Sequence, residues 1–467
     1  MIKIYNTLTR KKEPLPEPQA GKPLKVFVCG PTVYDYAHIG HARTYIFFDF
    51  LAKYLRSQGY EVEYLQNITD VDDKIIKRAA EENKTAEELS KFFTEKYLED
   101  METLGVDAIT NYAPATKFIP QIISQVERLI EKGFAYKIDG DGWYFDISKD
   151  KEYGKLSGRT ATQAEDALSR IDESINKRNK GDFCLWKFSK PNEPVWPEKN
   201  LGDGRPGWHI EDTAITEKYF GPQYDIHGGG VDLVFPHHEA EMAQQESASG
   251  LKPFVKLWIH TGVLLVEGKK MSKSLGNFIT IRDFLKKYPP DVLRWITLTH
   301  HYRSPIDYSD ESARQAKSAI DGTQKFLAGL EFSSKNISED SPRGDNPIEK
   351  KTDIAFASAL ADDINTPTAI AHIFNAILEL QPKIWTIEPD TAKSLAKYLK
   401  GKFAALGFSF KSPEIPAKAW QLASERETFR VNKQFVQSDA LRKEIDSLGY
   451  VIEDTPKGPF LWPKNQI

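Results

Sequence analysis

Cysteine is scarce in this sequence, which contains only Cys29 and Cys184 among 467 residues. Because secreted chains of this length usually carry more cysteines, in pairs, the scarcity indicates a reducing compartment and excludes a disulfide framework. Long apolar runs are also missing: no segment approaches the roughly 20 apolar residues of a membrane span, and the N-terminus lacks the apolar core of a signal peptide. We therefore expect a cytoplasmic protein with no membrane partner.

Positive charge is not in excess, since 63 Lys and Arg residues stand against 67 Asp and Glu residues, a formal net charge of −4. Non-specific binding to nucleic acid depends on phosphate contacts from a cationic surface, so we expect no DNA partner. A local basic face is enough for a specific RNA. The length predicts about three or four domains, at roughly 100–200 residues each.

The first part of the chain alternates strand-like and helix-like segments. The apolar run Leu24–Cys29 predicts a buried strand, and a helix is predicted over Ala42–Leu55. A second strand is predicted over Glu61–Ile68, and a helix begins in Asp70–Lys74 with acidic residues in its first turn. This order predicts an α/β fold with a doubly wound, Rossmann-like parallel sheet whose ligand binds at the carboxyl ends of the strands.

The remaining segments differ in character. Residues 116–205 mix Pro, Gly, Lys and Trp in short pieces and predict an insertion with its own small sheet. Val255–Val266 predicts a further strand, and the polar stretch Ser333–Pro347 predicts an exposed loop. Helices are predicted over Ala313–Leu330, Ala355–Leu380 and Trp420–Leu448.

The first candidate site is His38-Ile-Gly-His41. His38 and His41 are three residues apart where a loop enters a helix, so they can share one face. Helix N-termini bind phosphate, and imidazoles there can donate hydrogen bonds as phosphate charge develops. Gly40 lets a nucleotide approach the backbone closely. Taken alone, the pattern is weak evidence, because two surface or core histidines would also produce it, but its place after the first predicted strand favours a functional role.

The second candidate site is the Gly-flanked loop Lys270-Met271-Ser272-Lys273-Ser274. Two lysines and two hydroxyls on a flexible loop can wrap a triphosphate. A Lys/Ser-rich loop by itself is usually a solvated turn. Its co-occurrence with His-x-Gly-His, at the far end of the same predicted sheet, favours nucleotide chemistry.

The third candidate site is rich in histidine, since four of the ten histidines lie between residues 209 and 238. His237 and Glu241 are four residues apart, which places two potential metal ligands on one helical face. The alternative is that Cys29 is a buried strand end and that His237 and His238 form a satisfied core pair.

These motifs together resemble class I aminoacyl-tRNA synthetases, whose two signature sequences match the first two sites. Longer segments resemble the cysteinyl-tRNA synthetases in particular, and the resemblance covers nearly the whole chain. These segments are Cys29–Arg43, Asn67–Lys74, Pro206–Ile210, His227–Glu241 and Asp362–Pro367, with looser matches at Asp439–Arg442 and Glu453–Pro456.

The resemblance implies an ATP-dependent ligase that activates L-cysteine to cysteinyl-adenylate and then transfers the cysteinyl group to the 3′-terminal adenosine of tRNA(Cys). It implies His38, His41, Lys270 and Lys273 as the catalytic residues, Mg²⁺ accompanying ATP, and a monomer. Further residues are implied to bind amino acid or nucleotide: Gly30, Thr32, Gly40, Thr69, Trp208, His227, Gly228, Gly229, Gly230, Asp232, Met271, Ser272 and Ser274. As alternatives, Trp208 is a core aromatic and His227 a turn residue.

The same resemblance implies one Zn²⁺ per chain, held at Cys29, Asp212, His237 and Glu241. Zinc is thiophilic, so a substrate thiolate is a far better ligand than a serine hydroxyl. The sequence departs from the family at Asp212, where a second cysteine is usual. Aspartate also ligates zinc and carries the same charge as a thiolate, so we expect the metal to be retained. The alternative is a changed metal or substrate preference.

Two rival functions share these motifs. One is a cysteine ligase that acts on a small amine, and the other is a non-catalytic paralogue that binds tRNA. The C-terminal part argues for an RNA acceptor, because basic and aromatic side chains together suit single-stranded RNA, whereas the alternative for any single residue is a solvated amphipathic helix. Those side chains are Arg426, Arg430, Lys433, Arg442 and Lys443, with Phe429, Phe435 and Tyr450.

The composition shifts and the resemblance divide the chain into six predicted segments. Residues 1–115 and 206–262 are the two halves of the catalytic domain, separated by a connective insertion at 116–205. Residues 263–310 hold the lysine loop and a stem-contact region, 311–400 a helical bundle, and 401–467 a small C-terminal anticodon-binding region.

Overall fold

The computed structural model describes residues 1–159, 176–334 and 346–464. These residues form two compact units. The first comprises Met1–Ser309 with Ala361–Ile364, and the second comprises Asp310–Leu360 with Asn365–Ile467. Most of the predicted loop Ser333–Pro347 lies outside the described residues, and the six-segment division stays a prediction.

The strands of the first unit are short. They are β1 Lys3–Asn6, β2 Lys11–Pro14, β3 Leu24–Val28, β4 Val62–Ile68, β5 Asn111–Pro114, β6 Ala135–Ile138, β7 Gly142–Phe145, β8 Phe183–Phe188, β9 Gly204–Pro206, β10 Tyr224–Gly230, β11 Val255–Thr261, β12 Leu264–Val266, β13 Lys269–Lys270 and β14 Ile306–Tyr308.

The helices of the first unit alternate with these strands along the chain. They are α1 Ile39–Ser57, α2 Asp73–Glu81, α3 Ala86–Thr103, α4 Ile119–Glu131, α5 Ile210–Phe220, α6 Glu239–Ser249, α7 Ile281–Leu285 and α8 Pro290–Leu298.

The central sheet has five parallel strands in the order β11-β10-β3-β4-β5. Its centre is apolar on both faces, since the consecutive β3 residues Phe27 and Val28, which point to opposite faces, are both completely buried, as expected of a parallel sheet covered by helices. The chain leaves β3 toward β4 on one side and returns through β10 on the other. A crevice therefore opens between the ends of β3 and β10, where doubly wound sheets bind ligands. The predicted fold class is confirmed.

The insertion contains the small sheet that was expected there. Strands β6, β7, β8 and β9 form a four-stranded antiparallel sheet in that order. Trp186, fully buried on β8, donates from Nε1 to the carbonyl of Gly202 at 2.9 Å.

The prediction of a single strand over Val255–Val266 is wrong, because residues 262–263 interrupt it and separate β11 from β12. The amide of Gly262 donates to the carbonyl of Tyr302 at 2.8 Å, and a Cβ on Gly262 would lie 2.5 Å from the carbonyl oxygen of Ser304, so glycine is required where the chain leaves the main sheet. After the break, β12 pairs with β13 and β14 in a separate three-stranded sheet. The Lys270–Ser274 loop therefore extends from this second sheet and not from the main one.

Arg43 on α1 fixes the position of that break. The residue is only 2% exposed, and its guanidinium donates to the carbonyl oxygens of Val263 at 2.5 Å, Tyr302 at 3.1 Å and Ser304. Burial lowers the pKa of Arg43 to about 10, so the side chain remains a cation. One side chain thus ties the start of α1 to the root of the lysine loop.

The second unit is helical and ends in an antiparallel hairpin. Its elements are α9 Asp310–Ser333, α10 Pro347–Ala361, α11 Thr366–Leu380, α12 Pro389–Ala405, α13 Ala417–Val431, α14 Phe435–Ser447, β15 Tyr450–Thr455 and β16 Gly458–Pro463. The helix predicted over Ala313–Leu330 is confirmed, with wider bounds.

Two predicted helices are each divided. Ala355–Leu380 is broken between α10 and α11, where Asp363 and Ile364 have φ values of +62° and +49°. The break lets the buried Asp363 carboxylate accept from the Tyr5 amide at 2.8 Å and the Tyr302 hydroxyl at 2.7 Å. Trp420–Leu448 is likewise divided at Lys433, with φ +58°.

Within the described residues, every helix is too short or too polar to cross a bilayer.

We expect Arg43→Met to lower the apparent free energy of unfolding of the first unit by about 3 kcal/mol, because three buried carbonyl groups lose their donor. Chemical denaturation followed by fluorescence measures the loss. The matched control is Arg56→Met, an exposed arginine of the same helix, which should cost about 1 kcal/mol or less. Equal effects of the two substitutions would show that the buried guanidinium does not hold the loop.

Candidate active site

A pocket of 580 Å³ opens at the crevice between β3 and β10. Its walls come from the loop after β3, the start of α1, the end of β10 and the loop after β13. Most of the predicted site residues line it: Cys29, Gly30, Thr32, His38, Gly40, His41, Thr69, Trp208, Gly230, Asp232, Lys270, Met271, Ser272 and Lys273.

His38 and His41 form a reciprocal cap on α1. Nδ1 of His38 accepts from the backbone amides of Gly40 at 3.1 Å and His41 at 3.3 Å. Nδ1 of His41 in turn accepts from the amide of His38 at 3.3 Å, and the two rings stack with centroids 3.7 Å apart. Because each Nδ1 is an acceptor, the proton of each neutral ring must be on Nε2.

Both imidazoles are neutral at physiological pH. Burial lowers the pKa of His38 to about 2, with a further contribution from His41. Burial also lowers the pKa of His41 to about 4, helped by the charge of Lys74. Each ring therefore presents one fixed Nε2–H donor to a pocket that lies at a helix N-terminus.

The lysine loop meets the same helix. The amide of Ile39 donates to the carbonyl of Ile279 at 3.1 Å, and a Cβ on Gly40 would lie 3.0 Å from Cε of Met271. Gly40 thus makes room for this loop as well as for the His38 ring. Lys273 forms an ion pair with Asp35, whereas Nζ of Lys270 is 4.0 Å from Oδ2 of Asp232. The backbone of Ser274 lies in a 3₁₀ turn, and its side chain is outside the described part.

Four predicted metal ligands converge beneath the pocket floor. Nε2 of His237 lies 3.0 Å from Oδ2 of Asp212 and 3.1 Å from Oε1 of Glu241, while the ligand atoms of Cys29, Asp212 and His237 lie within 4.8 Å of one another. His237 lies in the π-helical turn Val234–His238 that leads directly into α6, and the i,i+4 pair with Glu241 is as predicted. The opposite ring nitrogen of His237 contacts Nδ1 of His209 at 2.7 Å, which directs Nε2 toward the carboxylates.

The chemistry of this cluster fits a cation. Asp212 and Glu241 are completely buried, and no described Lys or Arg pairs with either carboxylate. Oδ1 of Asp212 and both carboxylate oxygens of Glu241 have no hydrogen-bond partner among the described residues. Burial, together with Asp212, raises the pKa of both the Cys29 thiol and the Glu241 carboxyl. Buried anions without partners are very costly, and a metal ion removes that cost.

His227, Gly228 and Gly229 do not line the pocket. His227 is buried below it, with its Nδ1 2.6 Å from the Tyr224 hydroxyl and its Nε2 3.6 Å from Oε2 of Glu241. A Cβ on Gly228 would lie 2.3 Å from the ring of Phe48, so this glycine permits α1 to pack closely against β10. The ligand atoms of His227, His238 and Glu241 also lie within 4.8 Å of one another.

Several residues in and behind the pocket were missed. Glu211 is buried next to Asp212 and accepts from the Thr69 hydroxyl, and burial raises its pKa. Tyr34, Asp35 and Lys74 line the pocket, within segments already matched to the family. The signal for Glu211 was an acidic residue beside a potential ligand in the first turn of a helix.

Trp208 joins the metal cluster to the open pocket. Its ring stacks on His237 with centroids 4.4 Å apart and an interplanar angle of 20°. A small molecule in this part of the pocket is thus bounded by Trp208 and Thr69, with Cys29 below. The opposite end is bounded by the two histidines and the lysine loop.

Two family models match the chain. The model described as tRNA synthetases class I (C) catalytic domain matches residues 16–318, and the model described as DALR domain matches residues 355–411. The first alone covers well over half of the sequence.

Curated relatives and solved structures agree with these models. A cysteine–tRNA ligase of Methanococcus maripaludis is 42% identical, with both chains fully covered, and one of Thermoplasma volcanium is 44% identical over 98% of this chain and 99% of the relative. Methionyl-tRNA synthetase of Mycobacterium tuberculosis, solved with methionyl-adenylate, has a TM-score of 0.61 at 16% identity, covering 82% of this chain and 89% of that one. At that identity the likeness concerns the fold alone.

We expect acid to destabilise the first unit partly through His41. The unfolded imidazole takes up a proton near pH 6.5, whereas the folded one stays neutral until about pH 4. Stability is therefore complete above pH 6.5 and falls as the pH decreases toward 4, by about 2 kcal/mol at pH 5. The change His41→Gln should remove that part of the loss.

Denaturation of wild type and His41→Gln at pH 8 and pH 5 tests this. For each protein, the free energy of unfolding at pH 5 is subtracted from that at pH 8. The packing cost of the substitution is present at both pH values and so cancels. Equal losses between pH 8 and pH 5 in the two proteins would contradict the depressed pKa.

Proposed function

Because the chain belongs to the cysteine–tRNA ligases, a family of class I tRNA synthetases, we propose that ATP activates L-cysteine in the pocket between β3 and β10. The observation that carries this proposal is the placement of three motifs around one pocket. The histidine cap and the lysine loop bound one end, and the Cys29–Asp212–His237–Glu241 cluster lies beneath the other.

The chain is a ligase that joins cysteine to tRNA in two steps. The cysteine carboxylate attacks the α-phosphate of ATP and pyrophosphate leaves. A ribose hydroxyl of the terminal adenosine of tRNA then takes the cysteinyl group and AMP leaves. Neither rival function is favoured, because full-length relatives are cysteine–tRNA ligases and the DALR match extends into the second unit.

His38 and His41 donate to phosphate oxygens of ATP through Nε2–H. Their tautomers are fixed by the cap, so these donors need no reorganisation as charge develops in the transition state. Because both imidazoles are neutral, their rings can stack closely without charge repulsion. Positioning and electrostatics of this kind are sufficient for transfer at phosphorus.

Lys270 and Lys273 are the movable cations that meet the triphosphate, together with Mg²⁺. In this conformation Lys273 is held by Asp35 and Lys270 lies near Asp232. The carboxylates keep both lysines at the pocket mouth until a more highly charged partner enters. Ordering of the loop on binding then completes the site.

Cys29, Asp212, His237 and Glu241 hold one Zn²⁺ per chain. When bound, zinc supplies a thiophilic centre that favours a substrate thiolate over a hydroxyl. The side chains of Trp208 and Thr69 enclose the amino acid above this centre. Glu211 holds the Thr69 hydroxyl and so fixes that wall of the pocket.

The C-terminal part of the second unit contacts tRNA through its exposed basic residues. Lys433, Arg442 and Lys443 are exposed, as is Phe435 with 60% of its surface accessible. Arg426 is instead buried in a bidentate pair with Asp454, at 2.5 and 3.1 Å, so its role is to hold α13 against the hairpin. We also propose a monomer located in the cytoplasm, where a buried thiolate ligand stays reduced.

The function is tested by ATP–pyrophosphate exchange and by charging of tRNA with cysteine. We expect cysteine-dependent exchange, exchange with serine at least roughly 100-fold weaker, and cysteinyl-tRNA as the product. Transfer to a small amine with no charging of tRNA would overturn the acceptor, and equal exchange with serine would overturn the thiol specificity.

We expect Asp212→Ala to lose most of its zinc and Asp212→Cys to keep about one zinc per chain, because only the former removes an anionic ligand. Metal analysis of the purified proteins measures this without reference to activity. The matched control is Glu217→Gln, in the same helix but paired with Arg128, which should keep the wild-type content. Full zinc in Asp212→Ala would show that Asp212 is not a ligand.

A further inference from the structure

Lys74 is a pocket cation without an ion-pair partner at contact distance among the described residues, although its charge is close enough to favour the ionised form of Asp72. It is the second residue of α2 and lines the pocket, and among the described residues no carboxylate oxygen lies within 4.0 Å of its Nζ. The neighbouring Asp73 is already paired with Lys187 and Arg205. The two lysines of the lysine loop, in contrast, both face acidic residues.

The position of Lys74 is locally unfavourable. A cation in the first turn of a helix opposes the helix dipole, at a cost of about 0.3–1 kcal/mol. Natural sequences break such local rules mainly at functional sites. Two aromatic rings hold the ammonium group instead, with Nζ 5.7 Å from the ring centroid of Tyr34 and 5.8 Å from that of Trp208. Aromatic faces attract a cation without cancelling its charge toward an incoming anion.

Lys74 also lies between the two ends of the pocket. On one side, Trp208 stacks on the metal-cluster residue His237. On the other side, the charge of Lys74 is close enough to lower the pKa of His41. An amino acid whose thiol lies over the cluster and whose carboxylate points to the α-phosphate must place that carboxylate between these two ends.

We propose that Lys74 binds the carboxylate of the substrate cysteine and orients it for attack on ATP, an inference that rests on the proposed function. A carboxylate oxygen forms the bond to the α-phosphorus. The bond from that phosphorus to the bridging oxygen breaks, and its electron pair leaves with pyrophosphate. Lys74 keeps its proton throughout, so it acts by charge and position.

Cysteamine carries the thiol and the amine of cysteine but no carboxylate. It therefore distinguishes binding of the carboxylate by Lys74 from a role in supporting the pocket wall. In the zinc-loaded wild type we expect cysteine to bind more tightly than cysteamine. In Lys74→Met we expect the Kd of cysteine to rise about 10–100-fold and the Kd of cysteamine to change less than about twofold. Calorimetry measures both, and exchange kinetics should show a raised KM for cysteine with the KM for ATP unchanged.

Two further variants complete the experiment. Lys74→Arg keeps the charge and should recover part of the cysteine affinity. Lys77→Met, an exposed lysine on the same helix outside the pocket, should match the wild type.

Several results would overturn the proposal. Equal weakening of cysteine and cysteamine would mean that Lys74 only supports the aromatic wall, and a raised KM for ATP alone would mean that it binds phosphate. Unchanged cysteine affinity would make it a surface lysine. Failure of the proposed function would be distinguishable, because the wild type itself would then bind neither thiol and show no exchange.

Discussion

The structure depends on a small group of buried anions. Asp212 and Glu241 are completely inaccessible to solvent, Cys29 is nearly so, and His237 is their nearest described partner. Such a group stays ionised only with a compensating cation. The group also brings together the end of β3, which carries Cys29, with α5 and α6, which carry Asp212 and Glu241. Because these elements are far apart in the sequence, the charge balance of the group affects how they pack around the crevice.

The rest of the pocket is arranged by charge around that group. The histidines at its far end are kept neutral by burial, so they add donors without adding positive charge. The loop lysines are held by Asp35 and Asp232 at the mouth. Positive charge thus lies at the pocket mouth, where we propose that phosphates enter, and the anionic floor is left for the proposed metal and a thiolate.

Much of the fold and site could be predicted because local patterns encode them. The strand at Leu24, the helix at His38 and the i,i+4 pair His237–Glu241 follow from periodicity and spacing. Long-range contacts could not be predicted: Thr69 meets Glu211 across 142 residues, and Arg43 meets carbonyl groups about 220 to 261 residues away. The helix break at Asp363 had a local signal that was missed, since Asn365 caps α11 and a proline lies in its first turn. The buried carboxylate contacts of Asp363 with Tyr5 and Tyr302 are long-range and had no such signal.

Zinc K-edge X-ray absorption of the purified protein, with and without cysteine, tests the metal cluster most directly. Without cysteine we expect one sulfur ligand, from Cys29, and three nitrogen or oxygen ligands. With cysteine we expect a second sulfur at about 2.3 Å, and none with serine. Two sulfur ligands in the absence of cysteine, or an unchanged spectrum on adding it, would contradict a centre built by Cys29, Asp212, His237 and Glu241 to recognise a thiolate.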